Sequence, residues 1–290
     1  KLMSDNKASY LKNVEATPGS SKHDPILTID NVVRSFGGLR AVDIDHLEVQ
    51  RGIITAFIGP NGAGKTTLFN LITGFDKPDS GEWTFNQLKN ATSWSTKLSG
   101  LRPHQIANKG MVRTFQLTKS LAKMTVIDNM LLGAAEQKGE SLRNALLPSR
   151  WRQQEKTILG KAEDLLERFK LSHMRDEYAA TLSGGQRKLL EMARALMSEP
   201  KLILLDEPMA GVNPVLVESL LTHIENLRDE GVSVLFIEHD MDAIMGISDW
   251  IVVLAEGQVI AEGTPSDVSK NPAVIDAYLG SAIAEELKDV

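Results

Sequence analysis

The 290-residue sequence contains no cysteine. Disulfides, thiolate metal sites and a cysteine nucleophile are thereby excluded, and the absence fits a reducing compartment. Nor is there an excess of basic charge: 32 Lys and Arg stand against 38 Asp and Glu, a net charge of −6. A chain this acidic is not built to coat nucleic acid, which needs a broad basic surface. A local anion site made by backbone dipoles remains open to it. Long apolar runs are missing as well. The longest, Ile53 to Ile58, Val232 to Ile237 and Ile251 to Ala255, have the length of buried strands. They fall far short of the ~20 residues that cross a bilayer. With no apolar leader at the N-terminus, any membrane role is expected to come through partner subunits.

What is present is ordinary globular composition, 42% hydrophobic and 24% charged, enough to bury a sizeable core. Residues 1–24 are polar, include Pro18-Gly19-Ser20-Ser21, and read as a flexible arm. Strand patterns follow at Ile26 to Val33 and Ala41 to Val49, with Gly37-Gly38 as a turn between them. A third apolar strand, Ile53 to Ile58, leads into a helix from Gly64 to about Thr73, where Gly74 stops it. Residues 86–110 read as polar and irregular, and residues 118–172 carry helical patterning. The charge run from Arg150 to Lys170 reads as a solvated helix face. A helix after Ser183 places Leu189, Met192, Ala193 and Leu196 on one side. Lys201 to Asp206 is a short strand. Asn213 caps a helix that starts on Pro214 and buries Val217, Leu220, Leu221, Ile224 and Leu227. Strands alternating with helices predict a mostly parallel sheet. No internal repeat is visible.

Gly59-Pro60-Asn61-Gly62-Ala63-Gly64-Lys65-Thr66, followed by Thr67, fits the phosphate-loop pattern in full. It follows a strand and opens a helix, the context that gives the motif its meaning. The glycines let the backbone curl so that successive N–H groups face one anion, and the helix N-terminus adds positive partial charge. Lys65 is placed to reach the β- and γ-phosphates, and Thr66 to ligate Mg²⁺. A Gly-rich turn with a chance lysine is the bland alternative, and the strand and helix on either side weigh against it.

Two further stretches, Leu182-Ser183-Gly184-Gly185-Gln186 and Leu202-Ile203-Leu204-Leu205-Asp206-Glu207, make the pattern specific. In this order and spacing, with His239 after them, the chain resembles an ABC ATPase from Ile26 to Gly280. The resemblance implies an α/β P-loop fold with a small antiparallel β subdomain and an inserted helical subdomain. Residues 25–280 would form the ATPase domain, with the helical part at about 117–198 and a tail at 281–290. It further implies that Ser183, Gly184, Gly185 and Gln186 face the γ-phosphate held by an opposite protomer, in a head-to-tail dimer that sandwiches two ATP molecules. Asp206 would hold Mg²⁺, Glu207 would polarise the attacking water, and His239 would contact the γ-phosphate. Gln116 would touch Mg²⁺ and water and link the site to the membrane subunit. Phe36 would stack on adenine, although a core aromatic at a strand end is an open alternative. Where many ABC ATPases carry an Asp, this chain has Asn213, which bonds without charge. His104, His173 and His223 lack metal-ligand spacing and read as surface or satisfied core residues.

Narrower stretches resemble the ATPases of branched-chain amino-acid importers and their relatives in urea, short-amide and lipopolysaccharide systems. They are Gly37 to Val42, Arg102 to Ala107, Glu238 to Met241 with Gly246 to Asp249, and Gly263 to Pro265 with Asn271 to Gly280. Residues 87–99 depart from that pattern as an insertion, expected on the antiparallel subdomain. Implied partners are permease subunits, a second identical or paralogous ATPase and, indirectly, a solute-binding protein. The implied place is the cytoplasmic face of the cell membrane. Two rivals carry less: a soluble ABC protein of ribosome or DNA-repair type would join two cassettes or carry long coiled coils. A non-hydrolysing regulatory module would not need Lys65, Asp206 and Glu207 together.

Overall fold

The computed structural model describes residues 11, 13–89, 92–114, 119–134 and 148–278. The chain forms two compact units, one of Lys1–Ile106, Leu204–Pro208 and Leu221–Val290, the other of Ala107–Ile203 and Met209–Leu220.

The first unit opens on an antiparallel sheet. Strands β1 (Pro25–Phe36), β2 (Leu39–Gln50), β4 (Ser80–Lys89) and β5 (Thr92–Lys97) lie in the order β2-β1-β4-β5. Alternation puts Leu27 and Ile29 of β1 into the core, opposite Val49 and Leu47 of β2. Asn31, at φ 51°, breaks the period, so that Val32 rather than residue 31 is the next to turn inward. Trp83 and Phe85 of β4 close this core.

Residues 86–110 are therefore not irregular. They contain the outer end of β4, all of β5 and a short helix, α2 (Pro103–Ala107). Pairing across the hairpin, with Gln87 opposite Trp94 and Asn86 opposite Ser95, makes the strand that composition alone did not. Residues 87–89 and 92–97, from the stretch expected to be an insertion, lie on the antiparallel sheet.

The second sheet of this unit is built around β3 (Ile54–Ile58), whose five residues are all buried. It is flanked in parallel by β8 (Ser233–Ile237) and β9 (Trp250–Ala255), with Ala56 opposite Phe236 on one side and Ile251 on the other. Burial on both faces explains why β3 and β8 read as apolar runs, with only Thr55 and Ser233 polar. β10 (Gln258–Gly263) returns antiparallel along β9. Helix α1 (Lys65–Ile72) leaves the end of β3, and its Phe69 meets Phe57 edge-on, 5.9 Å between ring centroids.

The segment before β1 is not a loose arm over its described part. Leu11 is buried, and Lys22 forms an ion pair with Glu262 of β10 at 2.8 Å, both side chains 0% exposed. Glu262 also accepts hydrogen bonds from the Ser20 backbone N–H at 2.9 Å and from Trp250 Nε1 at 2.8 Å. The ammonium lies 4.7 Å from the centre of the Trp250 ring. A polar sequence is held here because each buried charge meets several partners at once. Lys22→Ala leaves the Glu262 carboxylate buried without its cation. It is expected to cost about 3 kcal/mol, read as a lower urea midpoint at unchanged slope.

In the second unit, β6 (Met111–Arg113) follows Gly110, whose carbonyl accepts from Lys201 N at 2.8 Å and Leu202 N at 3.1 Å. The latter residue begins β7 (Leu202–Asp206), which ends in the first unit. The helices here are α3 (Lys119–Ala122), α4 (Val126–Leu132), α5 (Pro148–Arg168) and α6 (Gly184–Leu196). On α5, Ala162, Leu165 and Leu166 turn inward while Glu155, Lys156, Glu163, Asp164 and Glu167 are exposed, the solvated face that the charge run predicted. Helix α7 (Pro214–Asp229) begins in this unit, with Asn213 Oδ1 accepting from Leu216 N at 3.0 Å as its cap. Of the five apolar positions expected to be buried on α7, Leu220, Ile224 and Leu227 are; Val217 and Leu221 are half-buried. Helices α8 (Met241–Ile247) and α9 (Pro265–Val268) complete the named elements, and 272–278 is also helical.

Candidate functional site

The loop from Gly59 to Gly64 joins β3 to α1. Its curl depends on residues without a side chain. A Cβ on Gly59 would stand 2.0 Å from the Leu254 carbonyl oxygen, and one on Gly64, at φ 98°, would stand 2.2 Å from that of Ala41. Both distances are far inside van der Waals contact, so glycine alone fits. Gly64 is also the N-cap of α1, which has no side-chain cap and no acidic residue in its first turn. The N–H groups at this helix start and its positive dipole end are therefore not spent on a carboxylate or hydroxyl of their own. Pro60 is half-buried; Asn61, Gly62 and Thr66 are exposed, Thr67 half-buried and Ala63 buried.

Lys65 is 6% exposed and bends back over the loop. Its Nζ donates to the carbonyls of Gly59 at 2.7 Å and Pro60 at 3.0 Å. Burial pulls this ammonium below its ordinary pKa, and the Glu207 carboxylate pulls it part of the way back. The loop thus holds one partly desolvated cation whose present partners are neutral carbonyls. A phosphate oxygen is a stronger partner for it.

Asp206 and Glu207 stand at the end of β7, His239 just past the end of β8, and the Glu207 N–H donates to the Ile237 carbonyl at 3.0 Å, tying the two strand ends together. Glu207 has φ 46°, left-handed backbone that costs a non-glycine residue about 1 kcal/mol. Its Oε1 lies 3.1 Å from His239 Nε2, with both side chains nearly half exposed. The buried Glu238 accepts from the His239 N–H at 3.0 Å. Asp240 caps α8 by accepting from Ala243 N at 3.1 Å. His239 is thus fixed between a strand end and a helix start. Glu238 carried no role in the sequence reading; a carboxylate directly after an apolar strand was the available signal.

Phe36 ends β1 at 50% exposure, so it is not a core aromatic. The Arg34 guanidinium sits 4.5 Å from its ring centre and is itself held by Asp76 and Asp79. The ring is fixed and its area is open to solvent.

In the second unit, Ser183 and Gln186 form a capping box at the start of α6. Ser183 Oγ accepts from Gln186 N at 3.2 Å, and Gln186 Oε1 accepts from Ser183 N at 2.9 Å. Accepting leaves the Ser183 hydroxyl proton able to donate elsewhere. Ser183, Gly184 and Thr181 are all exposed, so this helix start faces solvent. Leu189, Met192, Ala193 and Leu196 are buried on α6 as the spacing predicted. Gln116 and the tail 281–290 lie outside the described residues. Among the described residues no cluster of His, Cys, Asp and Glu is arranged to hold a metal; His104 and His173 are exposed and His223 is buried.

A family described as "ABC transporter" matches residues 42–210. The chain belongs to the ABC transporter family. Its ATP-binding subunits are ATPases, and this cassette binds and hydrolyses ATP. A second, narrower family, "Branched-chain amino acid ATP-binding cassette transporter", matches residues 258–284. The cassette is 43% identical over 260 residues to "Probable branched-chain amino acid transport ATP-binding protein LivG" of Archaeoglobus fulgidus, covering 90% of this chain and 97% of the relative. It is 40% identical over 260 residues to "High-affinity branched-chain amino acid transport ATP-binding protein BraF" of Pseudomonas aeruginosa, covering 89% and 99%. A crystal structure of the ADP conformation of an ATP-binding cassette of an ABC transporter superposes with TM-score 0.74 at 40% identity, covering 88% of this chain and 99% of that one. Among the described residues no helix is long and apolar enough to cross a membrane. A cassette of an ABC transporter implies permease subunits as partners.

Proposed function

We propose that this cassette powers the uptake of branched-chain amino acids from the cytoplasmic face of a cell membrane. The match of residues 258–284 to the branched-chain family carries the reading, because that stretch lies outside the phosphate loop and signature helix common to ABC ATPases. The relatives named for branched-chain amino-acid transport support it over nearly the whole chain.

ATP binds at Gly59 to Thr67, with the loop N–H groups on its phosphates and the Lys65 ammonium exchanging the Gly59 and Pro60 carbonyls for phosphate oxygens. Phe36 offers its exposed ring to the adenine. The Thr66 hydroxyl and the Asp206 carboxylate are hard oxygen donors of the kind Mg²⁺ takes, and resemblance to the family assigns Gln116 the same role. Such an ion offsets charge on the β- and γ-phosphates when bound. Glu207 accepts a hydrogen bond from a water and orients it for in-line attack on the γ-phosphorus. As the new P–O bond forms, the bond to the β–γ bridging oxygen breaks, and the water proton moves toward the Glu207 carboxylate. His239, 3.1 Å from that carboxylate, holds it in place. Ser183, Gly184, Gly185 and Gln186 of a second ATPase subunit, identical or paralogous, close over the γ-phosphate head-to-tail. Closure drives the permease subunits, and a solute-binding protein delivers the amino acid from outside.

Affinity purification of the tagged chain from mildly solubilised membranes, with mass spectrometry of its companions, tests this reading. Two multi-span permease proteins and a second single-cassette ATPase are expected, with phosphate release from ATP by the purified complex. Recovery with urea, amide or lipopolysaccharide permeases would move the substrate. Recovery with ribosomal or DNA-bound proteins and no permease would overturn the transport role.

A further inference from the structure

A chain of contacts inside the first unit runs from the phosphate loop to Phe36. Helix α1 starts on the loop and runs out beyond Ile72 into a turn, where the Asp76 N–H donates to the Asn70 carbonyl at 3.2 Å. Asp76 accepts from the Arg34 guanidinium twice, Nε to Oδ2 and Nη2 to Oδ1, each at 3.0 Å. Arg34 Nη1 donates to Asp79 Oδ1 at 3.1 Å. Asp79 is itself tied to β1: its N–H donates to the Val33 carbonyl at 2.8 Å, and its Oδ2 accepts from the Ser35 N–H at 2.7 Å. The guanidinium held in this way lies over one face of the Phe36 ring, 4.5 Å from its centre. The ring is half exposed. The turn beyond it is open, since a Cβ on Gly37 or Gly38 would meet nothing within 4 Å.

We propose that Arg34 is a positioning residue for the nucleotide base, holding the Phe36 ring at a set place relative to the phosphate loop, with Asp76 and Asp79 as its anchors. The inference rests on the reading of Phe36 as the ring that stacks on adenine. A phenylalanine at the exposed end of a strand, beside two glycines, loses side-chain freedom when a base settles on it. A cation on one face of the ring removes much of that freedom beforehand. The guanidinium is planar and forked, so one group stacks on the ring and grips a carboxylate at the same time. An ammonium does not combine the two. The ring's second face is left for the base. Because Asp76 is tied to α1, and α1 begins on the phosphate loop, the base platform and the phosphate cradle stand at a fixed spacing. One nucleotide then reaches both while ordering little of either.

The test is a double-mutant cycle in the full chain: Arg34→Gln, Phe36→Ala and the two combined. It is read by calorimetric titration with ATP and with inorganic tripolyphosphate, each with Mg²⁺. Tripolyphosphate carries the phosphates and no base. Arg34→Gln is expected to weaken ATP binding about 3- to 10-fold. It is expected to leave tripolyphosphate binding within about twofold of the unmodified chain, since the base alone meets Phe36. Added to Phe36→Ala, it is expected to cause little further loss, because the ring it positions is gone. Undiminished ATP affinity in Arg34→Gln overturns the proposal. So does an equal loss for tripolyphosphate, which would mean that the ion pairs serve the phosphate loop or the fold as a whole. A full loss that persists in the Phe36→Ala background overturns it too. If Phe36→Ala binds ATP as tightly as the unmodified chain, the stacking reading fails and takes the inference with it. If Phe36→Ala binds more weakly and Arg34→Gln does not, only this inference fails.

Discussion

Lys65→Ala is expected to weaken ATP binding about 100-fold and to reduce phosphate release at least a thousandfold. The ammonium is buried and its two present partners are carbonyls within the loop. Charge-assisted hydrogen bonds to phosphate are worth about 1.5–3 kcal/mol each, and more of that is realised as charge builds on the transferring group. The loss therefore falls on kcat as well as on KM. Thermal unfolding supplies a second readout. ATP should raise the midpoint of the unmodified cassette by mass action and leave that of Lys65→Ala almost unmoved at the same concentration. A variant that retains both the ATP-induced shift and turnover would remove Lys65 from the phosphate site.

Glu207→Gln is expected to cut turnover about a thousandfold while ATP still binds. The amide keeps the shape of the side chain but cannot take a proton from water, and positioned general bases contribute about 10²–10⁴ in rate. Unchanged phosphate release would mean that another group activates the water. The same substitution carries a second expectation through Lys65. Burial lowers the Lys65 pKa and the Glu207 charge opposes that shift. Removing the charge leaves burial unopposed, so the pKa of Lys65 falls further. Nucleotide binding needs the ammonium, so the alkaline limit of ATP affinity should move to lower pH in Glu207→Gln. A titration series at rising pH reads that displacement directly, and a limit that stays in place or moves upward would separate Glu207 from Lys65.

Much of the site was legible because its signals are local. The strand, Gly59 to Thr66 and the helix after them occupy one stretch, and each residue type there has a single geometric reason. The caps Ser183 and Asn213 are equally readable, since each lies three residues before the N–H it accepts from, Gln186 and Leu216. Features set by distant partners were not. Residues 92–97, Thr-Ser-Trp-Ser-Thr-Lys, hold one large apolar side chain and no alternation, and only pairing with β4 makes them a strand. Phe36 could be weighed as core or exposed, but the group that lies over its ring, Arg34, is held there by Asp76 and Asp79 from beyond α1.

The ion pair of Lys22 with Glu262 sets a timetable for making the protein. Its two members lie 240 residues apart, one near the beginning of the cassette and the other in its last strand. At about 5–20 residues per second, a ribosome takes roughly 12–48 seconds to travel between them. Throughout that interval the ammonium of Lys22 must stay in water, since a buried cation without its carboxylate is strongly disfavoured. The segment before β1 therefore cannot dock as it emerges. It settles only when β10 has left the exit tunnel, which makes the first described residues of the cassette among the last to reach their native place.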